Sequence, residues 1–151
     1  MLSPDDPLAK ILVFEEGFRS CVYKDSLGYW TIGYGTLVDS RKPGAGISRA
    51  AGLFLMGEAV EEKEEQLDEY IPWWRTLDPV RQTIIQAMSY QMGVGVPGGD
   101  EGLLGFRNTL RAIRDGMWRT AGDGMRESLW YQQTPERAER MAKMMESGNL
   151  L

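Results

Sequence analysis

Apolar positions recur at helical spacing at the start of the chain and then switch to alternation. Leu8, Ile11 and Leu12 form an i, i+3, i+4 stripe that opens at Asp6-Pro7 and stops before Gly17. Aspartate is a favourable cap, and proline suits the first helical position, where the amide is unpaired anyway. A helix is therefore predicted over Pro7–Glu16. From Phe18 onward the chain reads as β structure. Val22-Tyr23-Lys24 and Tyr29-Trp30-Thr31-Ile32-Gly33-Tyr34 are predicted strands on either side of the turn Ser26-Leu27-Gly28. Alternation places Tyr29, Thr31 and Gly33 on one face and Trp30, Ile32 and Tyr34 on the other. Arg41-Lys42-Pro43-Gly44-Ala45-Gly46 reads as a loop.

The rest of the chain has a helical period. Ser48 caps a long predicted helix reaching about Glu69, with Leu53, Met56, Val60 and Leu67 on one stripe and carboxylates elsewhere. Pro72 ends it. Asp78-Pro79 repeats the cap-plus-proline signal before Val80, Ile84, Ile85, Ala87 and Met88, which fill most sides of a central, buried helix. Val94 to Gly102 is a Gly/Pro loop. Further helices are predicted around Phe106–Arg114 and Trp118–Leu129, the latter in short pieces broken by glycines. A last one runs from Thr134-Pro135 to about Gly148, with Met141, Met144 and Met145 inward. The fold class is α+β and mainly helical, with a small hairpin lobe, a long connecting helix and a larger helical lobe. The expected division of one 1–151 domain is 18–47 for the small lobe, 48–69 for the connecting helix, and 70–151 with 1–17 for the helical lobe. A cleft between lobes is the usual place for a ligand.

Composition narrows the chemistry. The chain has no histidine and one cysteine, Cys21. Ser-His-Asp hydrolysis, Cys-His catalysis and His-based zinc sites are thereby excluded, as is an internal disulfide. A net charge of −5 argues against nucleic-acid binding. Much of it sits in the run from Glu58 to Glu69, which reads as a solvated helix face. No export signal is read at Met1-Leu2-Ser3-Pro4-Asp5-Asp6-Pro7, and no apolar run reaches membrane-spanning length.

Three residues can carry chemistry. Glu16 ends the first helix, where the dipole disfavours a second negative charge, and partial burial would disfavour it further. Both effects suit a general acid. Asp25 lies at the hairpin turn, open enough to stay ionised. Thr31, on the return strand, has a hydroxyl that can hold water. Two carboxyls in different environments are the minimal equipment for glycoside hydrolysis. Taken alone, the pair reads equally as a solvated helix end and a solvated turn.

The context decides more. Glu16-Gly17-Phe18-Arg19, Tyr23-Lys24-Asp25 and Gly28-Tyr29-Trp30-Thr31-Ile32-Gly33-Tyr34-Gly35 together resemble the catalytic signature of phage-type lysozymes, glycoside hydrolase family 24. Gln91-Met92-Gly93, Gly105-Phe106-Arg107-Asn108-Thr109-Leu110-Arg111 and Trp130-Tyr131-Gln132-Gln133-Thr134-Pro135-Glu136-Arg137-Ala138 extend the likeness over nearly the whole chain. The resemblance implies a two-lobe fold and a muramidase acting on peptidoglycan glycan strands by inversion, without metal or cofactor. It makes Glu16 the acid, with Asp25 and Thr31 positioning water. It brings Arg137 near Glu16, where a cation would oppose the helix-end effect, so the net direction stays open. Gln91, Tyr90, Gly35, Leu37, Phe106 and Thr109 are the candidate substrate-binding or supporting residues; Tyr90, Gln91 and Thr109 read equally as packing and helix-capping positions. Thr36 stands where the family often has histidine.

The expected setting is a phage monomer made in the host cytoplasm and acting on the cell wall. It would be released there by a separate holin or carried in the virion, without nucleic acid and without inserting in the membrane. The alternatives are a lytic transglycosylase and a non-catalytic peptidoglycan-binding or virion module.

Overall fold

The computed structural model describes residues 3–38 and 46–150. Contacts divide the chain into two compact units, Met1–Phe54 and Leu55–Leu151. The first helix thus shares a unit with the hairpin, whereas the sequence pattern groups residues 1–17 with the helical part. Most of the predicted 41–46 loop lies outside the described residues.

The first unit begins with α1, Pro7–Glu16, at the predicted bounds. Asp6 is its N-cap residue but makes no side-chain capping bond; its carboxylate instead accepts the Ser3 amide at 2.7 Å. Leu8, Ile11 and Leu12 are exposed, and Ala9 is buried. Strands β1 (Arg19–Lys24), β2 (Trp30–Gly33) and β3 (Thr36–Leu37) form an antiparallel sheet in the order β1-β2-β3. The third strand is an addition to the two predicted. Register pairs Tyr23 with Thr31 and Thr31 with Leu37, so one threonine is flanked on both sides. A bulge between Arg19 and Tyr23 breaks the register of β1. Bulges re-aim the side chains beyond them. Lys24 lies 5.1 Å from the ring centre of its cross-strand partner Trp30, and Arg19 lies 4.5 Å from that of Tyr23. Both are cation–π contacts that brace the hairpin.

Helix α2, Arg49–Tyr70, passes through the boundary between the units. The Ser48 hydroxyl oxygen caps it by accepting the Ala51 amide at 3.1 Å. Of the predicted stripe, Leu67 is fully buried while Leu53 and Met56 are exposed. The acidic face is solvated, with Glu64 half-buried, and two of its carboxylates are also paired. Asp68 accepts from Trp74 Nε1 at 2.8 Å and Arg75 Nε at 2.7 Å, and Glu64 accepts from Arg75 at 3.2 Å and Gln86 at 2.5 Å. The Arg75 hydrogen bonds hold the Asp68 carboxyl below its usual range.

A 3₁₀ turn at Pro72–Thr76 leads to α3, Pro79–Met92. Here the predicted cap is made: Asp78 Oδ1 accepts the amides of Val80 and Arg81, both at 3.1 Å. Ile84, Ile85 and Met88 are buried on α3 and sit in one core with Leu67, Trp74, Leu103, Ile113, Met125, Trp130 and Met145. Full burial of such side chains stabilises by about 1.5–3 kcal/mol each. Helices α4 (Arg107–Arg114), α5 (Trp118–Arg126), α6 (Leu129–Gln133) and α7 (Pro135–Ser147) complete the unit. Helices α5 and α7 are in extensive contact, with Ala121, Ala138 and Ala142 fully buried. Their small side chains permit close backbone approach.

Arg81 is buried and ties distant pieces together. It donates to Asp78 at 2.7 Å and to the carbonyls of Met145 at 2.9 Å and Glu146 at 3.1 Å near the end of α7. Its guanidinium lies 3.8 Å from the centre of the Trp118 ring. Burial alone would push the Asp78 carboxyl up, but the Arg81 bonds outweigh it and hold it low.

The Gly/Pro segment after α3 is pinned by backbone bonds from Leu103 to Gly93 at 3.0 Å and from Leu104 to Val94 at 2.9 Å. Gly102 is required there. A Cβ would stand 2.7 Å from the Gly95 nitrogen, and its φ is +68°. This folded-back loop leads directly into Phe106.

Candidate active site

Glu16 is the last residue of α1, and Gly17 follows it at φ 64°, ending the helix. The Glu16 side chain extends to the turn between β2 and β3. A Cβ built on Gly35 would stand 2.5 Å from Glu16 Oε2. Glu16 is exposed, so the partial burial expected for it is not what this structure has. Among the described residues, no hydrogen bond or ion pair holds its carboxylate.

Asp25 is half-buried at the β1–β2 turn. Its Oδ1 accepts two amides, from Leu27 at 2.9 Å and Tyr29 at 2.8 Å. Its own amide donates to the Tyr29 carbonyl at 2.9 Å, and its carbonyl accepts from Gly28 at 3.0 Å. Aspartate suits such turns because one carboxylate oxygen substitutes for a backbone acceptor. The turn thus fixes Oδ1 and leaves Oδ2 without a donor among the described residues. An ionised carboxylate with one oxygen anchored and one available can take a proton from water in a set direction.

Thr31 is 3% exposed, at the centre of the sheet. Its hydroxyl donates to the Tyr29 carbonyl at 3.3 Å, long for such a bond. Among the described residues, no donor reaches its oxygen. Tyr29 therefore joins the two candidates: its amide holds Asp25, and its carbonyl serves Asp25 and Thr31. The sequence reading does not single out Tyr29, because its role is carried by backbone atoms. Leu37 stands opposite Thr31 and is half exposed.

The second unit has its own groove of about 730 Å³, lined among others by Phe106, Asn108, Thr109, Ser128, Trp130 and Gln133. Two expected residues, Phe106 and Thr109, lie in it. Gln91 does not line it but acts behind it, its side-chain oxygen accepting Trp130 Nε1 at 3.0 Å. Phe106 meets Trp130 edge-on, with ring centres 6.3 Å apart. Trp130 is thus held by an acceptor and an aromatic neighbour, and sequence reasoning does not select it. Its signal is only its place in the run Trp130-Tyr131-Gln132-Gln133. Tyr90 is exposed and lines none of this groove. Arg137 lies in the first turn of α7 and lines a separate hollow of about 410 Å³ with Thr134, Pro135, Glu136 and Arg140. Glu16 and Arg137 belong to different units. Among the described residues, no group of three or more metal-ligating side chains is placed to hold an ion.

Comparison with known proteins gives a consistent picture. Residues 14–139 match the family model described as phage lysozyme. The chain is 33% identical to the pre-baseplate central spike protein Gp5 of Enterobacteria phage T4, over 98% of this chain and 29% of that protein. It is 34% identical to the peptidoglycan hydrolase gp36 of Pseudomonas phage phiKMV, over 86% of this chain and 14% of that one. It is 28% identical to the protein named Probable T4-type lysozyme 1 of Dictyostelium discoideum, over 93% of this chain and 94% of that one. The chain therefore spans a small part of the two phage proteins and nearly all of the Dictyostelium one.

Proposed function

Because the chain belongs to the phage lysozyme family, we propose that it hydrolyses bacterial cell-wall peptidoglycan, cutting the β-1,4 bond between N-acetylmuramic acid and N-acetylglucosamine. The observation that carries the reading is the Asp25 turn: one carboxylate oxygen is anchored by two amides, the other is available, and Thr31 is tied to the same Tyr29 peptide.

In the proposed mechanism Glu16 gives its proton to the glycosidic oxygen as the bond from that oxygen to the anomeric carbon breaks. Asp25 Oδ2 takes a proton from a water that Thr31 helps to orient. The water oxygen bonds to the anomeric carbon on the face opposite the leaving group, inverting the configuration. Proton exchange with solvent then restores Glu16 as acid and Asp25 as carboxylate. No metal or cofactor is needed, since both groups are side chains. Phe106 and Thr109 are assigned as substrate contacts in their groove. Gln91 supports through Trp130, Leu37 packs beside Thr31, and Gly35 supports Glu16. Arg137 keeps the supporting role that the resemblance implies, and Tyr90 is kept as a cleft residue because a polar, aromatic side chain fits a sugar.

The enzyme is proposed to act as a monomer on the cell wall. Among the described residues, no helix is long and apolar enough to cross a membrane. The likeness to part of a spike protein supports delivery in the virion; release from the host cytoplasm through a separate holin is the other route.

The test is product analysis on purified peptidoglycan for the wild type, Glu16→Gln and Asp25→Asn. Reducing ends that gain the mass of water, from the wild type alone, support the mechanism. Anhydro products would identify a transglycosylase, and binding without turnover a wall-binding module.

A further inference from the structure

We propose that Gly35 is a positioning residue for the Glu16 carboxyl, its bare α-carbon forming the seat on which the proton donor rests. The proposal deepens the hydrolase reading and rests on it.

Three glycines of the first unit share a positive φ. Gly17 has φ +64°, Gly33 +65° and Gly35 +68°. A positive φ favours glycine at each. Their surroundings differ. A Cβ on Gly17 or Gly33 would meet nothing within 4 Å. A Cβ on Gly35 would meet Glu16 Oε2 at 2.5 Å, Cδ at 3.0 Å and Cγ at 3.4 Å. The outer half of the Glu16 side chain therefore lies over the Gly35 α-carbon.

The Glu16 carboxyl also has little else to define its place. It is exposed, and no hydrogen bond or ion pair holds it among the described residues. A glutamate at a helix end can exchange one staggered rotamer for another, at a cost well below that of opening the sheet. An added methyl at residue 35 would thus be met by the carboxyl swinging away and not by loss of the sheet. A misplacement of about 1 Å at a reacting group can cost about 100-fold in rate. The lesion would fall on kcat, because binding contacts elsewhere are untouched.

Gly33→Ala supplies the control, since its φ is also positive and a Cβ there meets nothing within 4 Å. Kinetics on soluble peptidoglycan fragments should show Gly35→Ala lowering kcat at least about tenfold with KM within about twofold, while Gly33→Ala stays within about threefold of the wild type. A melting-temperature cycle with Glu16→Ala tests the contact without relying on turnover. Gly35→Ala should lower Tm by about 2 °C or more beyond its effect in the Glu16→Ala background. Folding of the double variant where Gly35→Ala alone fails to fold supports the proposal equally. Equal kcat losses in the two alanine variants, equal Tm losses in both backgrounds, or failure of the double variant to fold overturns it. A wild type without turnover overturns the hydrolase reading and the catalytic purpose given to Gly35; the melting cycle then reports on the contact by itself.

Discussion

Asp25 Oδ1 accepts the Tyr29 amide at 2.8 Å while the Asp25 amide donates to the Tyr29 carbonyl at 2.9 Å, so the two residues close the hairpin turn on each other. A residue proposed for chemistry is therefore also a structural clasp. The two roles use different atoms of the side chain, and substitution can separate them. Asp25→Asn keeps an oxygen for the Leu27 and Tyr29 amides and should leave stability near that of the wild type while removing turnover. Asp25→Ala loses both bonds and should cost about 1–2 kcal/mol as well as activity. Chemical denaturation and turnover, measured on both variants, check this; equal stability of the two would remove the clasp.

Glu16 should behave in the opposite way. Its carboxylate is exposed and accepts no hydrogen bond among the described residues. Glu16→Gln should change stability by no more than about 0.5 kcal/mol. Turnover of peptidoglycan should fall by about 10²–10⁴-fold, the usual contribution of a general acid. Activity close to wild type in a folded Glu16→Gln protein would remove it as the proton donor.

Arg81 is the pin of the second unit. It contacts Asp78, two carbonyls of α7 and the Trp118 ring, and is itself 8% exposed. Arg81→Met keeps much of the apolar stem but strands Asp78 and the two carbonyls. The expected loss is about 2–4 kcal/mol, read as a lower denaturation midpoint. A loss below about 0.5 kcal/mol, the range of ordinary surface changes, would show that the cluster is not supporting the fold.

Acid should loosen the contact between α5 and α7. Arg126 donates to Glu139 at 2.9 Å and Glu146 at 2.5 Å. Its hydrogen bonds hold both carboxyls below their ordinary value of 4.5. Between that value and the lower folded-state values, the unfolded chain binds more protons than the folded one, so acidification favours unfolding. The stabilisation is present above about pH 4.5 and lost as pH falls through the folded-state values. Arg126→Met should flatten the Tm–pH curve in this range. An unchanged slope would assign the acid sensitivity elsewhere.

Much of this protein is written locally. The bounds of α1, the caps at Ser48 and Asp78, the hairpin turn at Asp25 and the burial of α3 all follow from residues within one or two turns of each other. Such features depend on φ preference, short-range hydrogen bonds and periodicity, so the sequence pattern carries them directly. The order of Glu16, Asp25 and Thr31, and hence the family, is legible for the same reason. Long-range partners are not. Asp6 has the residue type of a cap, yet its carboxylate binds Ser3. Gln91 reads as a substrate contact, yet its oxygen holds Trp130, 39 positions away. Arg81 is charged and still buried, because acceptors 64 and 65 positions distant converge on it. Gly33 and Gly35 are alike in the sequence, and only the arrival of the Glu16 side chain makes them differ. Pattern sets which face and which end each element has, whereas the choice of partner depends on how all the packed surfaces fit at once, and only the tertiary structure decided it.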